Sequence, residues 1–349
     1  MTYYSGKGGY IGLAFQAVAG TPEVAADVFI GTEDWSDIET EAMNYYSKEF
    51  RGDAVTDAEI NAVYRKPNLI ASGSLGGPMY ADAFTYMLLG ICGTVTTSGD
   101  LEGFTNTYTF NNQALPVFTV FKGVAGLNIQ KFHDMTMKSL TITGAPGENV
   151  AYSVDMSGAP GDIATAALTP TYQTRPALNG ANAVFKIGGS ADCDVDAFEI
   201  TIDRGVQENK SFCSTGLGGW YNNFVYPTTT MIEGTFTKYF TTFDEYELFL
   251  GKDNATAETT SGYSVADADV ALAIEITGTE EIKPAGTATM DKLTFNINKA
   301  LYDTVSLSVG MDDRVKAEIA FKAMLDVSKT PDSVATIELI SGVDGDSIS

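Results

Sequence analysis

A mainly β, α+β fold built twice over is predicted by three observations. Most patterned segments alternate apolar and polar residues with period two, as half-buried antiparallel strands do. Turn-forming residues separate these segments. One strand-then-helix signature also occurs twice: Ile70 to Gly90 (IASGSLGGPMYADAFTYMLLG) aligns without a gap on Met231 to Gly251 (MIEGTFTKYFTTFDEYELFLG). Gly73 falls on Gly234, Leu75 on Phe236, and Met87-Leu88-Leu89-Gly90 on Leu248-Phe249-Leu250-Gly251. A repeat of this size dictates architecture. It predicts two β-sandwich or flattened-barrel domains, each with one flanking helix: residues 1–165, a linker at 166–180, and residues 181–349.

Gly6-Lys7-Gly8-Gly9 opens the chain. It lacks the spacing of a phosphate cradle and reads as a flexible terminal segment. Ile38-Glu39 and Phe198-Glu199 each open a strand-like run. Between Tyr45 and Pro67 lies a more charged loop, YYSKEFRGDAVTDAEINAVYRKP, without a counterpart of equal length in the second half. A long loop in a compact domain is usually functional or mobile. In the first helix Asp82 is the expected N-cap, Phe84, Met87, Leu88 and Ile91 share a face, and Gly90 or Gly93 ends it. In the second, Thr242-Phe243-Asp244-Glu245 has capping-box spacing, Phe243, Tyr246 and Phe249 or Leu250 form the stripe, and Gly251 stops it.

Asn111-Asn112 and Gly144-Ala145-Pro146-Gly147 read as turns. MKSLTI (Met137 to Ile142) resembles MDKLTF (Met290 to Phe295), and VAYSVDM (Val150 to Met156) resembles VKAEIAF (Val315 to Phe321). Phe198, Ile200 and Ile202 share one strand face, as do Leu293, Phe295 and Ile297, and Val305, Leu307 and Val309. The linker region, from Pro160 to Gly180, mixes Pro, Thr and Ala without alternation.

The formal net charge is −24 over 349 residues, and both halves are acidic. Tight general DNA binding needs Lys and Arg patches that neutralise phosphate, so that class is disfavoured. DNA could still move past such a surface without sticking. No run of 18 apolar residues predicts a transmembrane helix, and MTYYSGKGGYIG has no apolar region of a signal peptide. Cys92, Cys193 and Cys213 are too sparse for disulfide stapling and favour a reducing site of synthesis.

One histidine, His133, cannot build a Ser-His-Asp, Cys-His or multi-histidine arrangement. Asp192-Cys193-Asp194-Val195-Asp196 begins like a calcium loop. It has Ala197 where the sharp turn needs Gly and Asp203 where a bidentate Glu belongs. Trp220-Tyr221 in a Gly-rich loop is the best candidate for a sugar platform, and packing or interface contact explains it better. No catalytic, metal or cofactor site is predicted, and the protein is not expected to be an enzyme.

GYIGLAFQAVAGTPEVAADVFI (Gly9 to Ile30) resembles the opening of tail tube proteins of long-tailed phages. So do Leu69 to Gly90, EGTFTKYFTTFDEYELFL (Glu233 to Leu250) and the closing IAFKAMLD and IELI. The resemblance implies stacked rings of six domains that form a hollow tube for the genome. Two tandem domains imply a ring of three chains with pseudo-sixfold symmetry, with a hexamer as alternative. It further implies a virion protein assembled in the host cytoplasm, without membrane insertion. The expected partners are itself, a tape-measure protein in the lumen, and tail terminator and distal tail proteins. Genomic DNA would pass without specific binding. Within the acidic chain, Lys48, Arg51, Arg65 and Lys66 of the 45–67 loop are the candidate contacts to the next ring. The competing readings are a tandem β-sandwich adhesin, an enzyme on a β-sandwich scaffold, and a capsid or decoration protein.

Overall fold

The computed structural model describes residues 9–30, 38–39, 47–49, 63–65, 71–124, 129–159, 163–164, 168–209, 224–250, 269–283, 289–308, 314–328 and 333–348. Its first repeat runs β1 (Gly9–Phe15), β2 (Val28–Ile30), β3 (Ile38–Glu39), β4 (Ser47–Glu49), β5 (Val63–Arg65), β6 (Ala71–Pro78), α1 (Ala81–Cys92), β7 (Gly93–Asp100), β8 (Gly103–Phe110), β9 (Phe118–Val124), β10 (Ile129–Gly144), β11 (Ala151–Ala159) and β12 (Ile163–Ala164). The second runs β13 (Ala183–Ile187), β14 (Ser190–Ala191), β15 (Val195–Asp203), β16 (Gln207–Asn209), β17 (Phe224–Tyr226), β18 (Met231–Tyr239), α2 (Asp244–Phe249), β19 (Asp269–Glu281), β20 (Met290–Ser308), β21 (Lys316–Ala323) and β22 (Ala335–Ser341). The fold is mainly β and antiparallel.

One sheet of eight strands runs through both repeats in the order β3-β6-β11-β10-β15-β18-β21-β20. Its first four strands and its last four are the same unit, and the pairings coincide residue by residue. The row Ile38–Gly73–Met156–Met137 of the first unit recurs as Ile200–Gly234–Phe321–Tyr302 in the second. The units join where β10 pairs with β15, Ile142 opposite Ile200.

This register revises two sequence alignments. Ile38 corresponds to Ile200 rather than Phe198, and Met137–Ile142 to Tyr302–Leu307 rather than Met290–Phe295. The 45–67 loop also has a counterpart after all. β4 and β5 form a two-stranded ribbon between β3 and β6, and β16 and β17 form another between β15 and β18. The sequence hid the second ribbon because the two share position but not residue type.

The long strands β10 and β20 each leave the eight-stranded sheet part-way. The N-terminal part of β10 pairs with β9 and β12, and β9 continues to β1 and β2. The N-terminal part of β20 pairs with β19 and β22. From there β19 continues to β13 and β14, and β22 to β8 and β7. Register shifts lie near both departures, between His133 and Thr136 on β10 and between Tyr302 and Thr304 on β20, the latter matched on β10 by a second shift between Met137 and Ser139. Such bulges bend a strand and let it change sheets. Side chains of both strand sets share one hydrophobic core, including Leu13, Leu75, Leu140, Ile200, Phe236, Phe295 and Ile319.

The β10 bulge is held by the one histidine and its neighbour. Asp134 has a left-handed backbone, φ 52°. Its carboxylate accepts from Gly20 N at 2.6 Å and Gln16 Nε2 at 3.2 Å, and lies 2.9 Å from His133 Nδ1. Burial pushes the Asp134 carboxyl up, but the hydrogen bonds from His133, Gly20 and Gln16 outweigh it and hold it below its ordinary value. A depressed folded-state pKa contributes stability above the ordinary carboxylate value, and that stability is lost as pH falls through the depressed one. Asp134→Asn keeps a residue that tolerates this backbone. Its expected cost is about 1 kcal/mol at pH 7, shrinking as pH falls below the ordinary carboxylate value, as read by denaturation across that range. A gap independent of pH would refute this role for the carboxylate.

α1 lies inside the core. Asp82 alone of its residues is not fully buried, and it packs on β7, β8, β10 and β22. Tyr80, not Asp82, occupies the N-cap. The Asp82 carboxylate instead takes hydrogen bonds from Gly342 N at 3.0 Å and Arg175 Nη2 at 2.6 Å. Gly93 closes α1 with φ 98° and its N–H on the Leu89 carbonyl, the left-handed cap expected of Gly. α2 is a six-residue helix with no buried residue. Its capping box does not form, because Thr242 Oγ1 donates to Asp244 Oδ2 at 2.8 Å and Glu245 is drawn to Lys238. The expected stop, Gly251, lies outside the described residues.

Candidate assembly surfaces

The eight-stranded sheet has one apolar and one polar face, as period-two alternation requires. Phe198, Ile200 and Ile202 of β15, Ile232 and Phe236 of β18, and Ala317, Ile319 and Phe321 of β21 are buried. Between them, Asp155, Glu199, Asp203, Glu233 and Glu318 stand exposed on the other face, with Lys316 and Lys322 the cations among them on β21. Hydroxyls fill many remaining positions, and Thr141 Oγ1 meets Thr201 Oγ1 at 3.0 Å across the β10–β15 junction. The face is acidic, rich in hydroxyls and without a large apolar patch.

The two ends of this sheet are open. Among the described residues, β3 pairs only with β6, and the β20 segment Asp303–Ser308 pairs only with β21. Unpaired strand edges are templates for another chain. At the β20 edge Leu307 is 41% exposed, although its counterpart Ile142 is 2% exposed.

Other features surround this sheet. The ribbon β4–β5 sets Ser47 opposite Arg65 and Lys48 opposite Tyr64. Lys48 and Arg65 therefore occupy neighbouring rungs, while Arg51 and Lys66 lie outside the described residues, as do Trp220 and Tyr221. In the second ribbon the position of Lys48 is taken by Glu208. Phe240, Phe243, Tyr246 and Phe249 form a ring-to-ring series along α2, with centroids 4.9, 6.5 and 6.2 Å apart, and Phe243 is 57% exposed. Lys238 anchors this helix, reaching Asp192 at 2.7 Å and Glu245. Lys316 pairs with Asp196 at 2.6 Å. Two carboxylates of the calcium-like run are thus committed to lysines.

The segment expected as a linker is tied down. Leu178 is buried, its N–H donates to the Met79 carbonyl, and its carbonyl accepts from Val150 N. Arg175 binds Asp82 in one repeat and Asp291 in the other.

The sequence matches the family of phage tail tube proteins over residues 6–323. The chain belongs to the phage tail tube protein family. No individual characterised protein matches it. For a tail tube protein, a structural component of the virion tail, the functional surfaces are those that join one subunit to the next. In this tail tube protein the loop cations Lys48 and Arg65 were legible from charge alone. The open edges at β3 and β20 were not. Two residues of β3 carry little pattern, and the outer half of β20 alternates like any strand. A signal was present in Leu307, whose place in the repeat is that of a core residue.

Buried groups of this tail tube protein point to packing rather than chemistry. Burial pushes the Cys92 thiol up to about 12, against the opposing charge of Arg204, so it stays a neutral core side chain. Arg204 is itself buried over the Phe110 ring, donating to Thr230 Oγ1 and the Asn111 carbonyl.

Proposed function

We propose that three chains close into a ring of six repeats, and that rings stack into the tube through which the phage genome leaves the capsid. The carrying observation is the eight-stranded sheet of two equivalent four-strand units with both outer edges open. Joining such units edge to edge removes the exposed edges by closure. The polar face then lines the lumen and the apolar face packs on the chain's own core. Acidic and hydroxyl side chains at the lumen suit passage of DNA, because phosphate finds little to bind. A tape-measure protein would occupy this lumen before ejection, and terminator and distal tail proteins would cap the stack.

The decisive measurement is negative-stain imaging of purified protein together with the mass of its smallest ring. Tubes and a three-chain ring are expected. A six-chain ring would replace the stoichiometry, and a monomer forming no rings at any concentration would refute the reading.

Contacts between stacked rings are proposed for the 45–67 ribbon, through Lys48, Arg51, Arg65 and Lys66. Each ring would present basic first-repeat ribbons alternating with second-repeat ribbons that carry Glu208 in the place of Lys48. Deleting residues 48–65 is expected to leave the melting temperature within a few degrees of the parent, since among the described residues β4 and β5 pair only with each other. Tube growth should stop at single rings. Normal tubes from that variant would remove the ribbon from the interface.

A further inference from the structure

The chain already contains one seam of the kind the ring requires. At the junction of its repeats, β10 meets β15 with Leu140 opposite Ile202, Thr141 opposite Thr201 and Ile142 opposite Ile200. Each of these strands has an equivalent at an open edge, and its ladders to its own unit fix the equivalence.

On β10, Met137 pairs with Met156, Leu140 with Val154 and Ile142 with Tyr152. On β20, Tyr302 pairs with Phe321, Val305 with Ile319 and Leu307 with Ala317. All three pairs superpose at one offset, so Leu307 stands where Ile142 stands. On β15, Ile200 pairs with Gly234 and Thr201 with Glu233; on β3, Ile38 pairs with Gly73 and Glu39 with Ser72. Ile38 therefore stands where Ile200 stands.

We infer that the edge of β20 pairs antiparallel with β3 of a neighbouring copy of this chain, with Leu307 opposite Ile38 and Ser306 opposite Glu39. This rests on the ring reading above and adds its register. The pairing is between chains. Within one chain the two edges are seven strand spacings apart, roughly 34 Å of sheet. A head-to-tail contact of this kind closes into a ring or propagates as a helix.

Burial supports the assignment. Ile142 and Ile200 are each 2% exposed where the internal seam covers them, and Leu140 is fully covered. At the open edge Leu307 is 41% exposed and Val305 is half-buried. Apolar side chains thus persist at positions that lack only the neighbouring strand. In this register the positions of the hydroxyl pair Thr141–Thr201 are taken by Ser306 and Glu39.

The test mixes two single variants, Ile38→Cys and Leu307→Cys, each in a Cys193→Ser, Cys213→Ser background, and oxidises the assembled sample. Directly opposed residues of an antiparallel pair lie within disulfide reach, whereas a register error of four residues does not. Linked dimers should therefore exceed those from Ile38→Cys mixed with Asp303→Cys by at least about tenfold. Rings with equal or greater linkage through position 303 would overturn the register. Rings with no linkage at either position would overturn the seam and leave the ring reading standing. If the unmodified protein forms no rings, the ring reading fails and the seam with it. Should the variants not assemble, amide hydrogen exchange on the unmodified protein decides. Assembly is expected to protect residues 304–308 and 38–39, and rings without that protection would overturn the inference.

Discussion

Replacing Arg175 by methionine is expected to cost about 3–5 kcal/mol of stability at neutral pH. Arg175 Nε lies 2.8 Å from Asp291 Oδ2, and its Nη2 lies 2.6 Å from Asp82 Oδ1. The Asp291 side chain is only 4% exposed. Methionine fills the space of the arginine stem but leaves the buried Asp291 carboxylate and the partly buried Asp82 carboxylate without their shared cation. Gln173 holds the same pair, accepting from Asp82 N at 2.9 Å, so the clamp is local and cannot easily relax.

The sign of the pH dependence follows from Asp291. Burial already pushes its carboxyl up, opposed by hydrogen bonding and charge from Arg175 and reinforced by the charge of Asp82. Removing Arg175 deletes the opposing influence and raises the folded-state pKa further. A raised carboxyl pKa penalises the fold at neutral pH, and the penalty fades as pH falls through that value and the group protonates. Chemical denaturation of parent and variant should therefore converge between pH 7 and pH 4. A gap that stays constant over that range would show that lost packing, not stranded charge, is responsible. Because Arg175 sits between the repeats, the variant is also expected to loosen both together in a single transition.

Gly234→Val is expected to be nearly as damaging, at about 3 kcal/mol, the upper end for overpacking. A Cβ at this position would lie 2.3 Å from the Glu199 carbonyl oxygen and 2.7 Å from the Phe321 ring. Valine adds two further methyls in a strand with paired neighbours on both sides, β15 and β21. Shortening the ring with Phe321→Leu should recover only part of the loss, because the contact with the Glu199 backbone remains. A double-mutant cycle measures the coupling. A neutral Gly234→Val would mean that the strands do not approach this closely.

Much of the fold was legible because its signals are local. Phe198, Ile200 and Ile202 alternate on β15 and are buried, and Leu293, Phe295 and Ile297 do the same on β20. The errors share one cause. Alternation is unchanged by an even shift, so Ile38 could be aligned on Phe198 instead of Ile200, two residues away, at no cost to the pattern. MKSLTI could likewise be laid on MDKLTF, twelve residues from its true equivalent on the nineteen-residue β20. Only strand pairing fixes register. The capping motif of α2 was present in sequence, but Lys238 and Asp244 capture its side chains. The candidate contacts were legible as charge, whereas an open edge is a property of what is missing beside a strand.

The slip between successive repeats of the sheet also carries a dimension. On β10, Ile142 faces Ile200 five residues beyond Met137, which belongs to the equivalent preceding row. Counted beyond the second β10 shift, between Met137 and Ser139, from Leu140 to Gly144, the slip is four. If six repeats close with this stagger, strands of ordinary spacing and rise would lean about 35–40° from the tube axis and enclose a cylinder about 45 Å across at the backbone. The calibre of the whole tail would then be set by how far one strand slides past its neighbour within a single chain.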